Sequence, residues 1–119
     1  MTVATIILLL FTHFVADFVF QTDKQAKQKS TSNKWLSYHV ASYSLGLLAF
    51  GLLWIGFGWN VWLWVVLNAV LHWCTDWVTS RINSKLWKDQ KVHWFFVSIG
   101  FDQFIHYTTL ILTYKLLIG

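Results

Sequence analysis

Ile6-Ile7-Leu8-Leu9-Leu10-Phe11-Thr12-His13-Phe14-Val15-Ala16-Asp17, residues 6 to 17, is an apolar run that closes on a histidine and a carboxylate four positions apart. It lacks the strict alternation of a barrel strand, and so does Val61-Trp62-Leu63-Trp64-Val65-Val66. Extended from about Val3 to Phe20, the run approaches the roughly 20 residues that a hydrocarbon core requires of a helix. Three further stretches have the same character: Leu36 to Phe57, Val61 to Thr79 and Trp94 to Leu117. The expected fold is all-α, a membrane-embedded four-helix bundle forming a single integral membrane domain over residues 1–119.

Composition agrees with that expectation. Of the 119 residues, 56% are hydrophobic and 19% aromatic, against 12% charged, which is far from an ordinary water-soluble domain. The first segment has no basic start and no A-x-A-like cleavage site, so it reads as a retained span and not a signal peptide. A net charge of +4 is compatible with nucleic-acid binding, but eight of the nine cations cluster in two short segments. Lys24, Lys27, Lys29 and Lys34 lie in one; Arg81, Lys85, Lys88 and Lys91 lie in the other. That is the positive-inside pattern. It places loops 21–35 and 80–93 in the cytoplasm and both termini outside, with the lipid bilayer and no nucleic acid as partner. Trp54, Trp59 and Trp62 on one side, and Trp35, Trp87 and Trp94 on the other, match two interfacial aromatic belts.

His13 and Asp17 are one of three such pairs. His72 with Asp76, and Asp102 with His106, repeat the spacing inside other apolar segments. Residues four apart share one helix face, so each pair aims an imidazole and a carboxylate at one point. A charged Asp at mid-membrane costs roughly 3 kcal/mol on the insertion scale, and ionisable residues at that depth mark functional sites facing the bundle interior. A single pair reads more readily as hydrogen-bonded glue between helices, typically about 1 kcal/mol per contact. Three pairs at matched depth point to a metal centre. At 1.5 Å per residue, Asp102 lies roughly 12 Å and His106 roughly 18 Å above the start of the fourth span. That puts Asp102 level with His13 and His72, His106 deeper, and His39 near Asp17 and Asp76. Each hairpin also supplies an H-x-x-x-D helix followed by a His-bearing return helix, a hint of a pseudo-two-fold repeat.

Imidazole and carboxylate donors without cysteine suit one or two divalent transition ions, Zn, Mn or Fe. The ligand set read from the spacing is His13, Asp17, His72, Asp76, Asp102 and His106. The candidates for a catalytic carboxylate are Asp17, Asp76 and above all Asp102. His39, Gln21 and Gln103 are assigned to orienting ligands or positioning substrate. The lone Cys74 lies about 200° around the helix from His72 and Asp76 and reads as a packing residue. His93, Asp23 and Asp89 read as loop-boundary or solvated groups.

The pieces His13-Phe14-Val15-Ala16-Asp17-Phe18-Val19-Phe20-Gln21-Thr22-Asp23, His72-Trp73-Cys74-Thr75-Asp76-Trp77 and Asp102-Gln103-Phe104-Ile105-His106 resemble a family of small bacterial and phage membrane proteins, domain of unknown function 3307. The resemblance covers nearly the whole chain and implies no activity. The chain is also loosely similar, by analogy only, to membrane-bound metal-dependent hydrolases with His and Asp in their spans.

The leading functional expectation is a metal-dependent hydrolase with its site in the cytoplasmic half of the bilayer, acting on a lipid-linked or membrane-delivered phosphoester-type substrate. Two other classes stand beside it. A divalent-cation or proton transporter needs polar residues through the outer half, where the chain offers little, although a homo-oligomer with a pathway at its interface is compatible. A non-enzymatic membrane effector of phage or host would tolerate loss of the buried charges and depend on its loops.

Overall fold

The computed structural model describes residues 1–119 and is all-α, without strands. Helix α1 spans Val3–Phe14 and continues into a wider turn of π type over Val15–Val19. Helix α2 is short, Asp23–Gln28; α3 runs Asn33–Phe50 and also widens into a π-type turn, Gly51–Ile55. Helix α4 covers Trp59–Lys88 and α5 Val92–Leu117. Three helical stretches are long and apolar enough to cross a membrane: Asn33–Ile55, Trp59–Lys88 and Val92–Leu117. The first apolar helix, Val3–Val19, is shorter.

Side-chain caps set the starts of three helices. Thr2 caps α1 by accepting from the Thr5 amide, and Ser32 caps α3 by accepting from Trp35. Thr22 and Gln25 form a reciprocal capping box at α2, each side chain accepting from the other's backbone amide at 3.2 Å. Gln25 then donates to Ser42 at 3.2 Å and so ties α2 to α3. The reversal between α3 and α4 turns on Gly56, whose φ of 137° is open to glycine at no steric cost.

Two expectations are corrected here. The segment 21–35 is not simply a loop, because it contains α2. The segment 80–93 is mostly helix: α4 continues through Arg81, Lys85 and Lys88, leaving only Asp89–Lys91 as the turn. Nothing in Ser80–Lys88 breaks a helix, since it holds neither Gly nor Pro, and Arg81 anchors it by donating to the Trp77 carbonyl and to Asn33 Oδ1 while stacking on the Trp77 ring. At 1.5 Å per residue, α4 is about 45 Å long, equal to the 45 Å long axis of the molecule.

The longer α4 shifts the register of α5 by about a turn. Thr79 lies nine residues above Lys88 and Asp102 ten above Val92, roughly 14 and 15 Å along antiparallel helices. Asp102 therefore pairs with Thr79, and His106 reaches Asp76. Asp102 is not level with His72, as the spacing predicts; His106 is, its ring stacked on His72 at 4.0 Å between centroids.

Packing is inverted relative to a water-soluble protein. Twelve of the 24 buried residues are polar or charged, while Leu53 and Trp59 are each 88% exposed. The apolar core occupies the end of the molecule away from the two basic segments: Leu9, Leu47, Trp64 and Leu110 are fully buried there. One polar link crosses it, Asn68 donating to Thr113 at 2.8 Å and to the Trp64 carbonyl at 2.9 Å. Thr113→Val is expected to destabilise by about 1 kcal/mol, the usual value for such a contact between apolar helices. Metal content should be untouched. Unfolding in detergent measures the first and elemental analysis the second; loss of metal would show that the apolar end and the polar centre are not independent.

Candidate metal centre

Four helices deliver polar side chains to one buried layer. The π-type turn at Val15–Val19 carries Asp17, with the Phe20 amide bonded five residues back to the Val15 carbonyl. This wide turn is the last of the helix, which ends at Phe20, and π-type turns are frequent at functional sites. Close approach of this turn to α3 is set by Gly46, where an added Cβ would stand 2.8 Å from the Ala16 Cβ.

At the centre, His39 Nε2 and His72 Nε2 face each other at 3.3 Å. Both point at the same two oxygens. Asp17 Oδ1 is 2.9 Å from His39 and 3.3 Å from His72; Asp76 Oδ2 is 3.3 and 3.2 Å away respectively. A tetrahedral ion with bonds of 2.0–2.1 Å separates its donors by about 3.3 Å. The five separations just given cluster around that value, and all four donors lie within 4.8 Å of one another. The donor set therefore fits a transition ion. His39 Nδ1 and His72 Nδ1 have no hydrogen-bond partner, and the His72 ring is held instead by stacking between Tyr43 and His106, each at 4.0 Å between centroids.

A second group adjoins the first. His106 Nε2 lies 3.0 Å from Asp76 Oδ1 and 3.2 Å from Asp102 Oδ1, and these three residues again lie within 4.8 Å. Asp76 belongs to both groups, one oxygen to each. Thr79 donates to Asp102 Oδ1 and Gln103 Nε2 to Asp102 Oδ2 at 3.1 Å, which fixes that carboxylate.

The sequence-predicted residues divide unevenly between these groups. Asp17, His72, Asp76, Asp102 and His106 all lie in these two groups, and His39, assigned a supporting part, stands inside the first. His13 stands beside it. The Gln103 amide gives its nitrogen to Asp102, so its oxygen faces His13 Nε2 at 2.9 Å and can only accept. His13 Nε2 therefore carries the proton, and Nδ1 takes the Tyr43 hydroxyl at 3.3 Å. Both ring nitrogens are used, although Nε2 also lies 3.3 Å from Asp17 Oδ2. Gln103 does connect His13 to Asp102. Gln21 lines the adjoining cleft, its amide oxygen buried without a partner. Cys74 faces outward, away from the centre.

Sequence reasoning missed Tyr43 and Lys29. The spacing of His39 and Tyr43, four apart on one face, carries a signal for the first. Lys29 has none: it reads as a loop cation, yet its Nζ is 3.5 Å from Asp76 Oδ2 because α2 folds it back. Thr22-Asp23-Lys24-Gln25, a capping-box pattern, is the local sign of that helix.

Beside the centre, towards the basic residues, lies a cleft of about 530 Å³. Asp17 and Asp102 open onto it, with Lys27, Lys29, Ser80 and Ser84 on its polar side. Trp87, Phe95 and Phe96 form an apolar side. Among known proteins, the family model described as "Protein of unknown function (DUF3307)" matches residues 5–119. No curated protein and no solved structure matches the chain.

Proposed function

This chain belongs to DUF3307, a family of proteins of unknown function, and from that premise we propose that it is a membrane-embedded four-helix metalloprotein: a metal-dependent hydrolase of the bacterial inner membrane that acts on a lipid-linked or membrane-delivered phosphoester-type substrate. Both termini would lie outside and the basic ends of the helices in the cytoplasm. The observation that carries the metal is the convergence of His39, His72, Asp17 and Asp76 at the donor separations of a tetrahedral ion. The sharing of Asp76 between two donor groups is compatible with a second ion. When bound, such a dication supplies Lewis-acid polarisation of the scissile bond.

The residues then take distinct parts. Asp76 does not line the cleft and has both oxygens engaged by the donor groups, so it is a ligand. Asp102 lines the cleft and is steadied by Thr79 and Gln103. It is the carboxylate best placed to take the proton of an attacking water and pass it to the leaving oxygen. Lys27 and Lys29 supply positive charge for a phosphate, and the apolar side of the cleft accommodates a hydrocarbon portion. Against transport stands the apolar end of the molecule, where Leu9, Leu47, Trp64 and Leu110 are fully buried and the Asn68–Thr113 pair is the one polar link.

The test is bound metal measured by mass spectrometry on protein purified in detergent. We expect roughly one or two equivalents of Zn, Mn or Fe, lost in His72→Ala and in His39→Ala. His13→Ala should retain most of it, since His13 has both nitrogens committed elsewhere. No metal after reconstitution with Zn²⁺ and Mn²⁺ would end the metalloprotein reading. Metal without turnover of lipid phosphates or pyrophosphates would leave the centre standing and remove the hydrolase.

A further inference from the structure

Lys29 belongs to two places at once. It lines the cleft, yet its ammonium sits 3.5 Å from Asp76 Oδ2, an oxygen of the four-donor group. It ends α2 as the C-cap residue, just before the turn at Ser30 and Thr31, and its side chain is 21% exposed. We propose that Lys29 is a tethered cation that holds Asp76 until a divalent ion enters the four-donor group, then swings into the cleft to bind a phosphate-type anion together with Lys27 and Ser80. This rests on the metalloprotein reading above.

The reasoning is electrostatic. A dication among the four donors and an ammonium on one of the same oxygens are like charges a few ångströms apart, in surroundings where such repulsion is weakly screened. The lysine stem is flexible and carries its charge wherever a partner waits. The cleft offers that place once an anion is present. Ser80 Oγ is buried there with no partner and the residue is only 7% exposed, so a hydroxyl donor stands ready. Asp17 and Asp102 also line the cleft. Without a dication their charge repels an anion; with one, that charge is offset and Lys29 is freed. Metal and anion should therefore bind cooperatively, each raising the affinity of the other by the same factor. Trp87 and Phe96, 59% and 61% exposed beside the polar wall, would favour an anion that carries an apolar chain.

The experiment uses the whole chain in phosphatidylcholine nanodiscs, with Zn²⁺ affinity read by competition against a chelating dye. Lys29→Met should bind Zn²⁺ about tenfold more tightly, because a competing charge is gone, and Lys29→Arg should stay close to the parent. In parallel, inorganic phosphate and dihexanoyl phosphatidic acid are titrated calorimetrically with and without Zn²⁺. The parent should bind the anion at least about tenfold more tightly with Zn²⁺, and Lys29→Met should lose most of that gain. Equal binding of both probes identifies a bare phosphate as sufficient; binding of phosphatidic acid alone identifies an amphiphile headgroup. Unchanged or weaker Zn²⁺ binding by Lys29→Met, in a protein whose parent binds Zn²⁺, overturns the tethered cation. So does anion affinity indifferent to Zn²⁺. Absence of Zn²⁺ from the parent overturns the metalloprotein reading itself, and is told apart by that arm alone.

Discussion

Asp76→Ala is expected to abolish metal binding and any hydrolysis together, with the largest effect of any single substitution in the centre. Its two oxygens serve different groups: Oδ2 faces His39 and His72, and Oδ1 faces His106. Truncation leaves three donors in the first group and two in the second and removes the carboxylate they share, so both lose affinity at once. Loss of an orienting group around a metal typically costs 10–100-fold in affinity, and loss of a shared ligand should exceed about 100-fold. Asp76→Asn keeps the volume and one oxygen but removes the charge, and should lose metal nearly as completely. The comparison is Asp102→Asn, which disturbs only the second group and should retain ion in the first while losing turnover. Elemental analysis of the three variants, with size exclusion to establish that each is folded, reads this directly. Full occupancy in Asp76→Asn would mean that the two groups are an ion-pair network and not ligands.

Gly46→Leu is expected to be the most disruptive substitution outside the centre. A Cβ at this position would sit 2.8 Å from the Ala16 Cβ and 3.3 Å from the Phe20 ring, and the Ala16 Cα backbone atom is 3.4 Å away. The nearest obstacles are a buried side chain and its backbone, which have no flexible end to move aside. Small residues at helix contacts allow this kind of approach where no water drives helices together. Overpacking typically costs about 1–3 kcal/mol. The functional effect should be larger than the stability effect. Ala16 precedes Asp17 on the π-type turn, so pushing that turn from α3 lengthens the 2.9 Å approach of Asp17 Oδ1 to His39. Gly100→Leu, at a position with nothing within 4 Å, is the control and should behave as the parent. Equal unfolding midpoints and equal metal content in the two leucine variants would refute the account.

How much of this was legible in advance follows from the range of the forces involved. Helix type, the apolar stretches and the three His/Asp pairs depend on spacing within one segment, and 3.6-residue periodicity carries that information directly. The ends were less legible. Ser80–Lys88 is polar and basic, which reads as loop, but its residues are good helix formers and the helix simply runs on past the apolar stretch. That continuation moved α5 by about a turn and exchanged the neighbours of Asp102 and His106.

The exchange between His13 and His39 was beyond any local reading. Both are histidines on apolar helix faces, and His13 has the more suggestive neighbour in Asp17. Only packing decided that Gln103 and Tyr43 occupy the nitrogens of His13 while His39 turns its Nε2 to Asp17 and Asp76. Lys29 is the same lesson with charge: a cation in a basic segment reads as solvated until α2, capped by Thr22 and Gln25, folds it onto Asp76. From its sequence alone this protein is helical, rich in apolar stretches and furnished with paired His/Asp donors, because those properties are set by residue type and spacing along one helix. Which nitrogen meets which oxygen, and which lysine reaches them, was decided by tertiary structure, because it depends on where one helix ends and how closely another can approach.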